Sequence, residues 1–410
     1  MKDKVEINSN TNSNASTNIN SSINSSTNNI SSNIRNSSRR KSDAYFNKER
    51  FDKFLTQLTE FNVADVIFSV GRMPDCRTGN RLVEYKIEKV LTASDTYAIA
   101  NILLSEKDVD WADFDSKEVS YQIEGVARFR ASIYKVTGKL RIVMRIIPNK
   151  LRSFQELNLS EEVEKIAYSR AGLILISGKN RQGKSTTIAA LIEKINKTRS
   201  GHIITLENPI EYIHQESLCL ISQREVDEDI KDYQSAVRSA LRQSADVIMI
   251  GEIRDGETFE AALNVAETGQ LVISSIHTDD VQTTFQRIIN YYPPQERASI
   301  CSRLSHTLQT IVTQRLLPMN KEKDSDAMYD LIPALEIFHM TAGIKKLIAD
   351  QEKLPDIVSY IEENGKDDGM QSFDMHIGQL YKRGLIDKDT VKANATNPEK
   401  VFREDIYQKR

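Results

Sequence analysis

Residues 178–185 read GKNRQGKS and place glycine, lysine and serine at the positions of the P-loop pattern. In such a loop, backbone N–H groups and the N-terminus of the following helix face phosphate groups. Lys184 is expected to contact the β- and γ-phosphates, and the Ser185 hydroxyl is expected to bind Mg²⁺. Gly178, Gly183 and Thr186 complete the predicted phosphate-binding set. The chemistry that these residues favour is hydrolysis of a nucleoside triphosphate.

Further titratable residues follow apolar runs and are candidates for the reaction itself. A carboxylate at the end of a strand beside a P-loop can activate the attacking water, so Glu252 is the predicted base. Glu207 is expected to hold Mg²⁺ through water or to position the hydrolytic water; Glu211 either shares this role or pairs with an arginine. His277 is the predicted sensor of the γ-phosphate, and the alternative is a structural histidine. The preceding apolar runs are 203–206, 247–250 and 271–276.

A parallel sheet brings such strand ends together, and the sequence predicts one. The run 173–176 ahead of the P-loop suits a buried strand, and residues 186–196 behind it have the apolar spacing of a helix. Strands and helices alternate over residues 157–318, as in an α/β nucleotide domain. Residues 319–410 are expected to form a helical C-terminal region.

A smaller α+β domain is expected over residues 45–148, with residues 149–156 as a linker. Residues 46–61 carry apolar side chains at helical spacing. Residues 1–44 are rich in Asn and Ser and cannot bury enough apolar area to offset their ordering entropy, which predicts a disordered tail. Strands of the small domain are expected near 66–70, 82–87, 118–124, 127–134 and 140–147.

The bulk composition argues against several classes of protein. The chain has 410 residues and a formal net charge of −3, so no global basic field attracts nucleic acid. Its three cysteines form no C-x-x-C pair, which argues against a disulfide framework and a zinc site. No apolar run approaches the ~18 residues that a membrane helix needs, and the N-terminus lacks the apolar core of a signal peptide. A cytoplasmic protein is expected.

The P-loop and three further boxes occur in a fixed order, namely LENPIEY (206–212), ADVIMIGEIRD (245–255) and SSIHT (274–278). They resemble the Walker A, Asp, Walker B and His boxes of the type II/IV secretion ATPase superfamily. Residues 125–148, 223–255 and 369–386 are similar to one branch, the type IV pilus retraction ATPases or PilT family. The resemblance covers approximately residues 51–386.

This resemblance implies a fold, a reaction and partners. The fold is an α/β, RecA-like P-loop domain preceded by a small α+β, PAS-like domain, and the protein is a homohexamer. The reaction is hydrolysis of ATP with Mg²⁺, which drives retraction of a type IV pilus. The implied partners are an inner-membrane platform protein and an extension-ATPase paralogue, with no nucleic acid. The implied location is the cytoplasm, peripherally attached to the membrane through the pilus machine.

In this family, arginines from a neighbouring domain or subunit complete the nucleotide site. A guanidinium group suits the charge that develops on a transferring phosphoryl group. For each arginine, the alternative is an ordinary surface or salt-bridge role. The matching residues are Arg130 and Arg145 in the small domain and Arg238, Arg242 and Arg254 in the core.

Several positions depart from the family pattern. The loop interior KNRQ lacks the usual internal glycine, Asn208 replaces an aspartate, and Gln270 stands where a histidine is frequent. Lys345 stands where an arginine is typical of the retraction branch. The absence of cysteine from residues 319–329 nevertheless favours retraction, because extension ATPases usually carry a tetracysteine zinc site there. The alternative function is an accessory or regulatory pilus or secretion ATPase with weak or no hydrolysis.

Overall fold

The computed structural model describes residues 44–61, 63–78, 81–105, 109–148, 151–226, 228–320, 331–349, 353–365 and 367–407. The chain divides after Pro148 into two compact units. The predicted disordered tail, residues 1–44, lies outside the described residues except at its last position. None of the described helices is long and apolar enough to cross a membrane.

The first unit combines helices with an antiparallel sheet. Its described elements are α1 (Lys48–Glu60), β1 (Asp65–Ser69), β2 (Asp75–Thr78), β3 (Arg81–Glu84), α2 (Ala93–Leu104), β4 (Ser116–Ile123), β5 (Ala127–Val136) and β6 (Lys139–Pro148). The strands pair in the order β3-β2-β1-β6-β5-β4, and every pairing is antiparallel. The α+β prediction for this part of the chain is confirmed.

The sequence misses two elements of this unit, α2 and β2. Thr92 and Asp95 form a capping box at the start of α2, in which each side chain accepts from the other residue's backbone N–H. This T-x-x-D pattern is the signal that indicates the helix. Strand β2 has only four residues, DCRT, which is too short for apolar alternation to be visible.

The second unit is built around a mixed, mainly parallel sheet. Its strands are β7 (Gly172–Ser177), β8 (Gly201–Glu207), β9 (Cys219–Glu225), β10 (Val247–Ile250), β11 (Leu271–Ile276), β12 (Leu308–Pro318) and β13 (Leu331–His339). Its described helices are α3 (Glu161–Lys165), α4 (Lys184–Thr198), α5 (Tyr233–Ala240), α6 (Gly256–Glu267), α7 (Val281–Asn290), α8 (Arg297–Thr307), α9 (Ala342–Ala349), α10 (Asp356–Asn364), α11 (Phe373–Lys382), α12 (Lys388–Asn394) and α13 (Pro398–Tyr407).

The strand order of this sheet is β13-β12-β7-β11-β10-β8-β9. All neighbours are parallel except β13, which pairs antiparallel with β12. The central strands β7, β10 and β11 are buried along their whole length because helices cover both faces. The four apolar runs that predicted parallel strands therefore form β7, β8, β10 and β11, and the α/β prediction is confirmed.

Strand β13 lies in the region that the sequence assigns to helices. Its sequence, LIPALEIFH, is an apolar run that contains Pro333, and proline is disfavoured inside a sheet. Proline is tolerated here because β13 is an edge strand. The helices predicted for this region are present from α9 onward, so the correction is the addition of one strand.

Glu336 on β13 is a buried carboxyl group that fixes the start of α7. Its side chain is 2% exposed, and Oε2 accepts a hydrogen bond of 2.7 Å from the backbone N–H of Val281. Burial raises the pKa of Glu336 to about 7; Asp280 and Asp374 raise this pKa further, whereas the Val281 N–H and Arg315 oppose them. The carboxyl group therefore titrates near neutral pH.

We predict that Glu336→Gln changes how stability depends on pH. The folded protein holds a proton on Glu336 that the unfolded chain, with a pKa of about 4.3, has released, so the wild type loses stability as the pH rises from about 4.5 to 7. The variant keeps an acceptor and should gain about 3 kcal/mol over the wild type across this window. Urea unfolding at a series of pH values measures the difference.

The matched control is Glu363→Gln, which changes an exposed glutamate on α10. Its pH dependence should follow that of the wild type. If Glu336→Gln also follows the wild type, Glu336 is not the group that titrates.

Candidate functional site

The carboxyl ends of four parallel strands place the predicted reactive residues along one edge of the second sheet. The P-loop follows β7, His277 follows β11, Glu252 lies just beyond β10, and Glu207 is the last residue of β8. The sequence predicts that the strand of Glu252 lies beside the P-loop strand, but β11 separates β10 from β7. His277 is thus the side chain that stands between the P-loop and Glu252.

The two glycines of the P-loop are required by close packing against β12. Gly178 has φ +144° and Gly183 has φ +83°, values that favour glycine. An added Cβ would lie 2.6 Å from the Gln314 carbonyl oxygen at the first position and 2.7 Å from Gln314 Nε2 at the second. Gln314 also accepts a hydrogen bond of 2.7 Å from the Thr187 hydroxyl of α4. One side chain of β12 therefore fixes both the loop and the helix that follows it.

Arg181 lies in the P-loop interior KNRQ, which lacks the internal glycine usual for the family. Its φ is +64°, in the left-handed region where a side chain is strained. The side chain itself is exposed. Arg181 therefore holds, at the cost of strain, a backbone conformation that glycine would adopt freely.

Lys179, the first residue of the loop interior, is held by a carboxylate. Its Nζ lies 3.1 Å from Asp279 Oδ2, two residues beyond His277. The two side chains are 72% and 46% exposed, so this ion pair contributes at most about 1 kcal/mol. It nevertheless joins the P-loop to the loop that carries His277.

Lys184 is a buried cation held by the P-loop itself. Its Nζ donates to the carbonyl oxygens of Gly178 (2.8 Å) and Lys179 (2.9 Å) and lies 3.1 Å from His277 Nδ1. Burial lowers the pKa of Lys184, and the carboxylates of Glu252 and Glu211 oppose this shift. The predicted phosphate-binding lysine therefore lies at the centre of the group of reactive side chains.

Ser185 and Thr186 follow Lys184 in the first turn of α4. Ser185 is exposed at the helix N-terminus, the position from which a hydroxyl can reach a metal ion bound to phosphates. The Thr186 hydroxyl lies 2.8 Å from the hydroxyl of Tyr212. The two hydroxyl groups thus have different surroundings although they are adjacent in sequence.

Glu252 has both carboxylate oxygens engaged. Oε1 lies 2.6 Å from His277 Nε2, and Oε2 accepts from Arg254 Nη2 (2.7 Å) and Nε (2.8 Å). The Glu252 side chain is 16% exposed. A continuous chain of polar contacts therefore runs from Lys184 through His277 and Glu252 to Arg254.

The partners of His277 determine its proton. The ammonium group of Lys184 can only donate, so Nδ1 must accept from it and Nε2 must carry the hydrogen that Glu252 accepts. Gly178 O lies 3.3 Å from Nδ1 but already accepts from Lys184. Burial, followed by the charge of Lys184, lowers the pKa of His277, whereas Glu252 raises it. The imidazole is therefore neutral at pH 7.

Glu207 and Glu211 lie in different environments. Glu207 is buried and accepts from the Thr205 hydroxyl (2.7 Å), Gln223 Nε2 (3.2 Å) and the Glu211 backbone N–H (3.3 Å). Burial raises the pKa of Glu207, and these hydrogen bonds oppose the rise. Glu211 is half-buried and its charge acts on Lys184. Of the two carboxylates, Glu211 is thus the one whose charge opposes the loss of a proton from Lys184.

Tyr233 is a site residue that the sequence does not indicate. Burial raises the pKa of its hydroxyl well above the usual range, and the charges that act on it are those of Arg254, Glu207, Glu252 and Glu211. A Cβ on Gly251 would lie 3.2 Å from the Tyr233 hydroxyl, so a glycine before Glu252 lets the ring approach. Tyr233 lies in the first turn of α5, outside the four sequence boxes, so none of these boxes indicates it.

Comparison with known proteins establishes the family. Residues 113–354 match the model of the family described as type II/IV secretion system protein. The chain is 33% identical over 349 residues to the type IV pilus retraction ATPase PilT of Pseudomonas aeruginosa, covering 84% of this chain and 99% of that protein. The crystal structure of the pilus retraction motor PilT with bound ADP superposes with a TM-score of 0.76 at 32% identity, over 86% and 98% of the two chains.

This chain belongs to the PilT family of type II/IV secretion ATPases. It is also 31% identical over 345 residues to the type IV pilus ATPase PilU of Pseudomonas aeruginosa, covering 84% of this chain and 88% of that protein. The Legionella pneumophila ATPase DotB has the same fold, with a TM-score of 0.70 at 22% identity over 86% and 97% of the two chains. The chain is therefore an ATPase, and the residues at its strand ends are the candidates for its nucleotide site.

The arginines predicted from the PilT family lie in three places. Arg254 contacts Glu252, whereas Arg238 and Arg242 are exposed on α5 and in the turn after it. In the first unit, Arg130 and Arg145 are directly opposite each other on β5 and β6. Arg130 Nε donates to Glu118 (3.1 Å), and Arg145 Nε donates to Asp65 (2.9 Å). These two like charges are adjacent because each has a carboxylate partner.

We predict that Arg181→Gly stabilises this ATPase. Glycine removes the strain of the left-handed backbone but increases the entropy of the unfolded chain, so the expected net gain in free energy of unfolding is about 0.5–1 kcal/mol. Thermal and urea unfolding measure it. Arg181→Ala is the control, since it removes the same side chain and retains the strain. Equal stabilities of the two variants would show that the φ angle carries no cost.

Proposed function

We propose that this protein is an ATP-hydrolysing motor that powers retraction of a type IV pilus. The observation that carries the proposal is the chain of contacts from Lys184 through His277 to Glu252 at the edge of the parallel sheet. It joins a phosphate-binding cation to a carboxylate that can accept a proton from water. Similarity to PilT over nearly the whole length of that protein supports the pilus system.

In the proposed reaction, Glu252 accepts a proton from a water molecule. The water oxygen forms a bond to the γ-phosphorus, the bond from that phosphorus to the β–γ bridging oxygen breaks, and ADP leaves with that oxygen. Lys184 contacts the β- and γ-phosphate oxygens, and the P-loop N–H groups surround them. His277 contacts both Lys184 and Glu252, so it responds to the charge beside the lysine and orients the base.

A bound Mg²⁺ would supply positive charge that offsets the charge of the phosphates. The exposed Ser185 hydroxyl is the residue proposed to bind it, with Glu207 acting through water. A role through water fits Glu207, because protein groups already donate to its carboxylate. Magnesium at such sites is bound by few protein groups, and the described residues contain no group of three or more His, Cys, Asp or Glu able to hold a metal.

The proposal includes a homohexameric ring, as the family resemblance implies, in which the remaining arginines act between copies. Arg238 and Arg242 are exposed, whereas Arg130 and Arg145 lie on the other compact unit and each contact a carboxylate. In the proposal, these four arginines complete a neighbouring copy's site. A guanidinium supplied by a second subunit links hydrolysis to subunit geometry. The proposed partners are an inner-membrane platform protein and an extension ATPase, and the proposed location is the cytoplasmic face of the pilus machine.

An accessory ATPase with weak or no hydrolysis is the second candidate. Both oxygens of Glu252 already accept hydrogen bonds, from His277 and Arg254, so a water molecule must compete with these groups for the carboxylate. The two candidates differ in turnover, since both require binding of ATP.

The test is the ATPase rate per subunit, measured against protein concentration with saturating Mg·ATP. The rate of the wild type should rise with concentration as rings assemble. Glu252→Gln should bind ATP normally and lose at least about 100-fold in turnover, because it removes the base. Lys184→Ala should lose turnover by removing the phosphate contact. Glu257→Gln, an exposed change on α6, is the control.

A rate near zero at every concentration, with measurable binding of ATP, would favour the accessory role. Strong turnover in Glu252→Gln would mean that another group is the base. Retraction itself is tested in the source organism, where deletion of the gene should leave pili extended and abolish surface motility. Restoration by the wild type but not by Glu252→Gln would support the motor.

A further inference from the structure

We infer that Tyr212 is a positioning residue of the nucleotide site, whose hydroxyl orients the Thr186 hydroxyl toward the phosphates. The inference rests on the proposed ATPase function and adds a residue to its site. The two oxygen atoms are 2.8 Å apart, and Thr186 directly follows Ser185 in the first turn of α4. The sequence predicts a nucleotide contact for Thr186 but assigns no role to Tyr212.

The direction of this hydrogen bond follows from the chemistry of phosphate. Phosphate oxygens only accept hydrogen bonds, so a threonine hydroxyl that faces them must donate its hydrogen to them. Its lone pairs are then free for a donor, and Tyr212 is the group within reach. Burial raises the pKa of the Tyr212 hydroxyl, which therefore keeps its hydrogen near neutral pH. A hydroxyl that accepts one hydrogen bond becomes a better donor of the next.

Tyr212 is fixed by the segment that carries it. This segment, residues 208–218, connects the parallel strands β8 and β9 without a helix, although a helix is usual in such a connection. Gln223 Nε2 on β9 donates to the Tyr212 carbonyl (2.8 Å), and Gln223 Oε1 accepts from the His214 N–H (2.8 Å). One amide group therefore holds the backbone on both sides of residue 213.

The same segment also lies along α4, the helix that begins with the P-loop. His214 is buried with Nδ1 3.5 Å from Oε2 of Glu193, seven residues after Thr186 and on the same face of the helix. The His214 ring lowers the pKa of Glu193 to about 2. Further along α4, Asn196 Nδ2 donates to the Gln215 carbonyl (2.8 Å). The segment therefore contacts α4 at Thr186, Glu193 and Asn196, and these contacts hold the Tyr212 hydroxyl beside Thr186.

The test is a double-mutant cycle on Tyr212→Phe and Thr186→Val, read by the dissociation constant for a fluorescent ADP analogue with Mg²⁺. Tyr212→Phe should raise this constant about three- to tenfold, the effect of losing one neutral hydrogen bond. In the Thr186→Val background it should add nothing, because its partner is absent. Steady-state kinetics should show a higher KM for ATP and little change in kcat.

Tyr292→Phe is the matched control. The Tyr292 hydroxyl also donates a hydrogen bond, to Glu260 Oε2 at 2.7 Å. Tyr292 follows α7 and Glu260 lies on α6, so this hydrogen bond involves neither the P-loop nor α4. This variant should bind nucleotide as the wild type does. Additive effects in the cycle, or unchanged affinity in Tyr212→Phe, would overturn the inference while leaving the ATPase proposal intact. Failure of the wild type to bind nucleotide would overturn both.

Discussion

A buried ammonium group must be surrounded by acceptors, and this requirement on Lys184 organises the whole site. Two acceptors are carbonyl oxygens of the P-loop, and the third is a nitrogen of His277. Since the lysine can only donate, His277 must present its bare nitrogen to it and its N–H to Glu252. The charge on one helix residue therefore sets the tautomer of a histidine and, through it, the orientation of the candidate base.

The strand order makes this relay necessary. With β11 between β7 and β10, the P-loop and Glu252 are not on neighbouring strands, and His277 at the end of the middle strand connects them. Strand β12 lies on the other side of β7, and its Gln314 packs against both P-loop glycines. The P-loop is thus fixed from one side by close packing and from the other by polar contacts.

The sequence predicts the parts of this molecule that rest on local patterns. Continuous apolar runs indicate buried parallel strands, so β7, β8, β10 and β11 are visible before the fold is known. Strand β13 lies in the region that the sequence assigns to helices, and its run contains Pro333, which a sheet tolerates at an edge strand. The successful predictions all rest on residues that are close together in the sequence.

The candidate site is likewise predictable from the sequence only in part. The types of the reactive residues follow from motif spacing, but their contacts do not. The binding of Arg254 to Glu252, the burial of Glu207 and the approach of Tyr233 all depend on tertiary placement. Tyr212 lies inside a recognised box, yet its partner Thr186 is known only once the β8–β9 connection is seen to lie along α4. Hydrogen-bond partners distant in sequence require the fold.

Gln223 makes the site sensitive to a very small chemical change. Its amide nitrogen donates to both the Glu207 carboxylate and the Tyr212 carbonyl, while its oxygen accepts from the His214 N–H. Spontaneous deamidation would exchange this nitrogen for oxygen and preserve the shape of the side chain. The new carboxylate could no longer donate, and it would face the carboxylate of Glu207 in a half-buried setting where like charges repel. Chemical ageing at this single amide would thus loosen the connection from β8 to β9 without any change in the gene.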